Sequence, residues 1–214
     1  MDSYLSIKRI VAENQFAQNS YLCFNDNVMF LVDCGCSKES FLLALKEIDA
    51  ENRKLDCILL THCHFDHILG LYDIWDKYKC DIYLANKCED FLYDKMKNLS
   101  SIFGEFNLGH IYPERLKGLS DKDAVAVGDL KITAYSTSGH SICSMCYSVG
   151  EYLFTGDTIL QGTVGRVDLY GGSMKNLIDS LLKIQKIPFK LALPGHGDKM
   201  DSELVNGIIN FYVN

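Results

Sequence analysis

The run Thr61-His62-Cys63-His64-Phe65-Asp66-His67 narrows what this chain can fold into more than any other segment. Three of the six histidines and one carboxylate fall within it, after the apolar stretch 55–60 and before a stretch of helical spacing. In extended backbone alternate side chains point the same way. His62 and His64 therefore converge while Cys63 points elsewhere, and a turn into a helix lets Asp66 and His67 face a second point. Imidazole and carboxylate are the donors that zinc, iron and manganese accept. A histidine-rich surface loop arising by chance is the bland alternative, and the small number of histidines in the chain weighs against it.

Three more segments each place one such donor at the end of an expected strand. They are Thr137-Ser138-Gly139-His140-Ser141, Phe154-Thr155-Gly156-Asp157-Thr158 and Leu193-Pro194-Gly195-His196-Gly197. Each sets glycine beside the donor, where the backbone must turn tightly or approach another chain segment closely. Singly these are ordinary turn sequences. Together with the first run they form a constellation.

Hydrophobic periodicity supplies the frame. Residues 4–11, 20–25 and 28–33 read as strands, with a turn at Asn25-Asp26-Asn27. Residues 38–49 read as a helix capped by Ser37, 55–60 as a buried strand, 67–79 as a helix, 81–84 as a strand and 88–98 as a helix. The stretch 99–128 lacks a period and reads as an irregular crossover. Strands are expected at 130–136, 144–149, 151–155 and 189–193, and helices from Ser173 to about 186 and over 202–212. Hairpin-like strand pairs separated by helices fit two mixed sheets packed face to face, with helices outside.

Hydrophobic residues make up 48% of the 214 residues and charged residues 23%, the balance of an ordinary globular protein. The net charge is −7 without basic clusters, which disfavours a nucleic-acid partner. Residues 1–11 lack the features of a secretory leader, and no apolar run is long enough to span a bilayer. The expectation is a cytoplasmic protein with a small-molecule substrate, no membrane and no nucleic acid; the oligomeric state is not legible. Nine scattered cysteines read as small buried apolar residues rather than a disulfide framework. Cys143-Ser-Met-Cys146 lacks the second pair or the fold context of a metal or redox motif. His110 reads as a surface or packing histidine, and Phe103, Phe106 and Tyr112 as core, with a pocket wall as the alternative.

In chain order, the HxHxDH run, Ser138-Gly139-His140, Thr155-Gly156-Asp157 and Pro194-Gly195-His196-Gly197 resemble the metallo-β-lactamase superfamily, from Asp33-Cys34-Gly35 to His196. The resemblance implies an α+β fold, a four-layer αββα sandwich formed by residues 1–214 as one domain, with two divalent metal ions at one edge. It implies that His62, His64 and His140 hold one ion, that Asp66, His67 and His196 hold the other, and that Asp157 bridges them. Zinc is the first choice, and the same donors serve iron or manganese. The match looks closest to glyoxalase II-like (hydroxyacylglutathione hydrolase-like) enzymes. Gly165-Arg166-Val167-Asp168 and Gly171-Gly172-Ser173 resemble a segment of their short members, and in full-length glyoxalase II a basic residue at the Arg166 place helps bind a glutathione carboxylate. A salt bridge to Asp168 is the structural alternative. Only 18 residues follow His196, so the C-terminal glutathione-binding domain of the longer enzymes is not expected.

Two such ions lower the pKa of a shared water to about 7, with Asp66 placed to orient it and take its proton. No separate general acid is evident, which favours a thiolate leaving group with a pKa near about 8.5. Thioester hydrolysis is therefore expected, with activated esters or lactones next. Persulfide dioxygenases resemble the chain in the same motifs and use one iron at the places of His62, His140 and Asp157; that is the alternative.

Overall fold

The computed structural model describes residues 4–103 and 108–213. The first sheet begins with two antiparallel strands, β1 (Ser6–Val11) and β2 (Asn19–Phe24), followed by β3 (Met29–Val32). Helix α1 (Lys38–Lys46) leads to β4 (Cys57–Leu59), which runs parallel to β3. Ser37 caps α1 as its sequence predicts, its hydroxyl accepting from the Ser40 amide. The short helix α2 (Phe65–Ile68) and α3 (Leu71–Tyr78) then cross to β5 (Asp81–Ala85). All four residues of β3 are buried, which marks a strand covered on both faces.

The segment expected to be one helix from 67 to 79 is two. A Cβ at Gly70 would overlap the Cys36 carbonyl oxygen, and the Gly70 amide donates to Cys34 O at 2.8 Å. Close approach to the β3–α1 turn therefore breaks the helix there. The helix expected at 88–98 is replaced by a 3₁₀ turn at Glu89–Leu92, and α4 (Ser100–Phe103) follows. Asp94 Oδ1 accepts from the amides of Met96 and Lys97, and Asn98 Oδ1 from that of Ser100. These side chains take amides that a helix would use.

The crossover at 99–128 contains two strands that its sequence does not announce. They are β6 (Leu116–Leu119), parallel to β5, and β7 (Ala124–Val127). The second sheet continues with β8 (Leu130–Ser136), β9 (Met145–Val149) and β10 (Tyr152–Gly156). A small hairpin, β11 (Ile159–Leu160) with β12 (Thr163–Val164), precedes α5 (Met174–Ile184), whose cap is Ser173. Strands β13 (Leu191–Pro194) and β14 (Met200–Asp201) and helix α6 (Ser202–Val213) complete the fold. The strand orders are β1-β2-β3-β4-β5-β6 and β14-β13-β10-β9-β8-β7.

The two sheets share one core. Phe30, Leu31 and Ile58 of the first lie in one apolar cluster with Ile132, Tyr147 and Phe154 of the second. The Tyr147 hydroxyl donates to Leu60 O and the Tyr21 hydroxyl to Pro194 O, both at 2.7 Å, so the sheets are also bonded at depth. Leu177, Leu181 and Ile184 of α5 and Val205 and Ile209 of α6 cover the outer face of the second sheet in their own cluster. This is the expected layered α+β sandwich. All nine cysteines are buried and free. Cys143 and Cys146 do not act as a pair: Cys146 faces the cluster under α5, while Cys143 Sγ accepts from the Cys63 amide. No helix among the described residues is long and apolar enough to cross a membrane.

Candidate metal centre

The connections that follow β4, β8, β10 and β13 meet at one edge of the two sheets. The β4 connection carries His62, His64, Asp66 and His67, and the others carry His140, Asp157 and His196 in turn. Three groups of donor atoms result, each within 4.8 Å of one another: His62, His64 and His140; His62, His67 and Asp157; and Asp66, His67 and His196. All seven residues singled out in the sequence are thus brought together.

In the first group His62 Nε2 lies 3.1 Å and His140 Nε2 3.0 Å from His64 Nδ1. Nitrogens about 2.0–2.1 Å from a tetrahedral ion lie roughly 3.3 Å apart, so this spacing suits one cation. Asp157 stands between the groups. Its Oδ1 is 3.3 Å from His67 Nε2, and its Oδ2 is 3.4 Å from His196 Nε2 and 3.7 Å from His140 Nε2. Asp66 Oδ2 is 3.3 Å from His196 Nε2. His67 Nε2 and Asp157 Oδ1 are buried, yet neither has a hydrogen-bond partner. Buried polar atoms are rarely left so, and a cation between them satisfies both.

The outward nitrogens are held by the chain. His62 Nδ1 lies 3.2 Å from the Thr61 hydroxyl, and His67 Nδ1 2.8 Å from Asp33 Oδ2. His140 Nδ1 donates to Arg166 O at 2.8 Å, and His196 Nδ1 to Phe16 O at 2.9 Å. With the proton fixed on Nδ1, the Nε2 lone pair points inward, which is how metal-ligating imidazoles are oriented. His64 is reversed, presenting Nδ1. Asp33 was not singled out as a functional residue. It sits at φ +58° and also accepts from the Thr61 amide and hydroxyl, each at 2.7 Å. An aspartate ending a strand carries no sequence signal of a partner 34 positions away.

The glycines beside the donors prove to be close-approach positions. A Cβ at Gly195 would overlap Asp157 Oδ1 and stand 2.6 Å from His67 Cε1, and one at Gly156, at φ +48°, would stand 2.6 Å from Thr61 Cβ.

Electrostatically the two halves differ. Burial, reinforced by His140, lowers His64 to about 4. Burial followed by its histidine neighbours holds His62 well below its ordinary value. Burial works against a charged His196, but the carboxylates of Asp157 and Asp66 outweigh it and raise that imidazole to about 9. Asp157 is held well below the usual carboxylate range: burial opposes this, and His67 and His196 overcome it. So His62 and His64 present neutral nitrogens, while on the other side carboxylates face protonated imidazoles, a set in which divalent cations replace protons.

The Arg166 side chain grips Asp168 through two contacts of 2.7 Å, both side chains being exposed. Its backbone carbonyl is what serves the site, by holding His140. His110 is exposed beside Tyr112 and joins none of the donor groups. Phe103 and Tyr112, expected in the core, are 38% and 47% exposed; Phe106 lies outside the described residues.

Residues 14–196 match the family model described as the metallo-beta-lactamase superfamily. The probable metallo-hydrolase YqgX of Bacillus subtilis is 29% identical over 86% of each chain. The probable polyketide biosynthesis zinc-dependent hydrolase BaeB of Bacillus velezensis is 31% identical over 77% of this chain and 68% of its own. Among solved structures, the BLEG-1 B3 metallo-beta-lactamase superposes with a TM-score of 0.86 and 27% identity, covering 98% of this chain and 100% of that one. The gathered donors, the layered fold and these likenesses agree: the chain belongs to the metallo-beta-lactamase superfamily.

Proposed function

We propose that the chain is a hydrolase of thioesters or similarly activated esters and lactones, glyoxalase II-like in its chemistry, working with two divalent cations, zinc first among them. The observation that carries this reading is the position of Asp157. Its Oδ1 lies beside His67, and its Oδ2 lies between His196 of the same donor set and His140 of the other. Such a residue can serve two neighbouring cations at once. His62, His64 and His140 would hold one of them, and Asp66, His67 and His196 the other. A mononuclear iron oxidation would need only His62, His140 and Asp157, and iron-only content with oxygen uptake would mark it.

When bound, the cations supply Lewis acidity to a water and to the scissile carbonyl. The remaining roles fall to side chains. Asp66 is 13% exposed and lies beside His196. Burial raises its pKa, but His67 and His196 lower it more, so it stays a carboxylate. It can accept a hydrogen bond from the attacking water and take its proton. Tyr21 and Tyr147, two buried phenols, donate to backbone carbonyls and are not free to protonate a leaving group. A leaving group stable as an anion, such as a thiolate, therefore suits the site. Arg166 is the candidate to bind a substrate carboxylate, once released from Asp168.

The test joins elemental analysis to a screen of acyl thioesters, lactones and phosphodiesters, using zinc-, iron- and manganese-reconstituted protein. Close to two metals per chain and preferential thioester turnover are expected. Asp157→Asn should stay folded and lose metal, with turnover falling by about 10³-fold or more, the scale of removing a central electrostatic group. Parent-level turnover in that variant, or fewer than one metal per parent chain, would falsify the reading.

A further inference from the structure

The seven donor side chains are unequally covered. Those of His67 and His140 are 0% and 4% exposed, whereas that of His196 is 26% exposed. The centre therefore opens to solvent on the His196 side, and what lines that side meets the substrate first.

Three phenylalanines from three separate segments stand there. Phe16, in the β1–β2 loop, is the residue whose carbonyl holds His196. Phe65 lies between His64 and Asp66. Phe103 ends α4. The Phe16 and Phe65 rings meet edge to face at 4.9 Å, and Phe65 and Phe103 stack at 5.5 Å with 16° between planes. Phe16 and Phe103 close the triangle at 6.0 Å. Phe65 is 6% exposed, but Phe103 is 38% and its neighbour Ile102 60% exposed. Three packed rings, partly exposed beside a cluster of polar donors, are the kind of apolar feature that marks a binding site.

We propose that Phe16, Phe65 and Phe103 form a wall that binds the apolar acyl chain of the substrate and sets its preferred length. This rests on the thioester reading above. The trio offers aromatic faces and neither charge nor hydrogen-bonding side chain. Biological thiol carriers are polar, so the moiety that fits the wall is an apolar acyl chain.

The test measures dependence on chain length. Transfer of one methylene from water to an apolar surface changes affinity about threefold to fourfold. Zinc-loaded parent protein should bind octanoate at least tenfold more tightly than butyrate by calorimetry, and should favour octanoyl over acetyl thioesters in kcat/KM through KM. In Phe103→Ala both preferences should collapse to within about threefold. Phe103→Leu should restore part of each, and Leu43→Ala, on exposed α1 surface, should keep the parent ratios. If Phe103 merely pins α4, Phe103→Ala will lower Tm and leave the ratios at parent values, which overturns the wall. Binding without length dependence in the parent also overturns it. Length-dependent carboxylate binding without thioester turnover would retire the proposed reaction and leave the wall standing.

Discussion

Asp33 shows how much of the centre depends on residues that touch no substrate. Its Oδ1 accepts from the Thr61 amide, and its Oδ2 accepts from the Thr61 hydroxyl and faces His67 Nδ1. The φ of +58° is one that asparagine tolerates as well as aspartate does. In Asp33→Asn the amide oxygen would keep the Thr61 bond, and the amide NH₂ would then face His67 Nδ1. Two donors cannot share that contact, so His67 must take the other tautomer. Its proton then moves to Nε2, the atom turned towards Asp157. We expect Asp33→Asn to fold and to bind zinc about 10–100-fold more weakly, the usual cost of removing such a partner. Titration against a calibrated chelator measures this, and parent-like affinity for both metals would show that Asp33 does not set the His67 tautomer.

At the scale of elements, glycine has opposite effects in two helical settings. Gly70 separates α2 from α3, and a methyl group there would overlap the Cys36 carbonyl. Gly207 lies within α6, where an added Cβ would meet nothing within 4 Å. Gly70→Ala should destabilise by about 1–3 kcal/mol through overpacking. Gly207→Ala should stabilise by about 0.5–1 kcal/mol, because alanine loses less backbone entropy on entering a helix. Denaturant melts distinguish the two, and a reversed sign in either variant would contradict the placement of that glycine. The same contrast explains what periodicity revealed. Ser37 and Ser173 announce their helices because a cap is a local signal. The break at Gly70 depends on a carbonyl 34 residues earlier and has no local signature. Strand β6 escaped notice because Leu116-Lys-Gly-Leu119 is short and its apolar residues do not alternate; its place follows from pairing with β5.

Across the whole molecule, the donors were legible because four crowd into one run after β4 and each of the other three lies at a strand end with a glycine beside it, while their holders were not. Thr61, Arg166 O and Phe16 O serve the centre through a hydroxyl or a carbonyl, and backbone groups leave no trace in residue type. The donors also come from both sheets: the β4 connection belongs to the first, and His140, Asp157 and His196 to the second. Cations bound there would staple one sheet to the other and stabilise the fold by mass action. At 100-fold excess over Kd this amounts to about 2.7 kcal/mol, or roughly 5–10 °C in a chain of this size. Protons compete for the same atoms. In the metal-free chain His196 is raised to about 9 by Asp157 and Asp66 against the effect of burial. Its proton therefore stabilises the metal-free fold fully below about pH 6.5, and that gain is lost as pH rises towards 9. The cation held by His196 must displace this proton, at about 1.4 kcal/mol per pH unit below 9. The rise in Tm produced by a fixed free zinc concentration should thus be larger at pH 8 than at pH 6, and chelation should abolish it at both. Calorimetric scans with and without zinc at the two pH values measure the difference; a rise at pH 6 equal to or above that at pH 8 would show that His196 Nε2 is not a metal ligand.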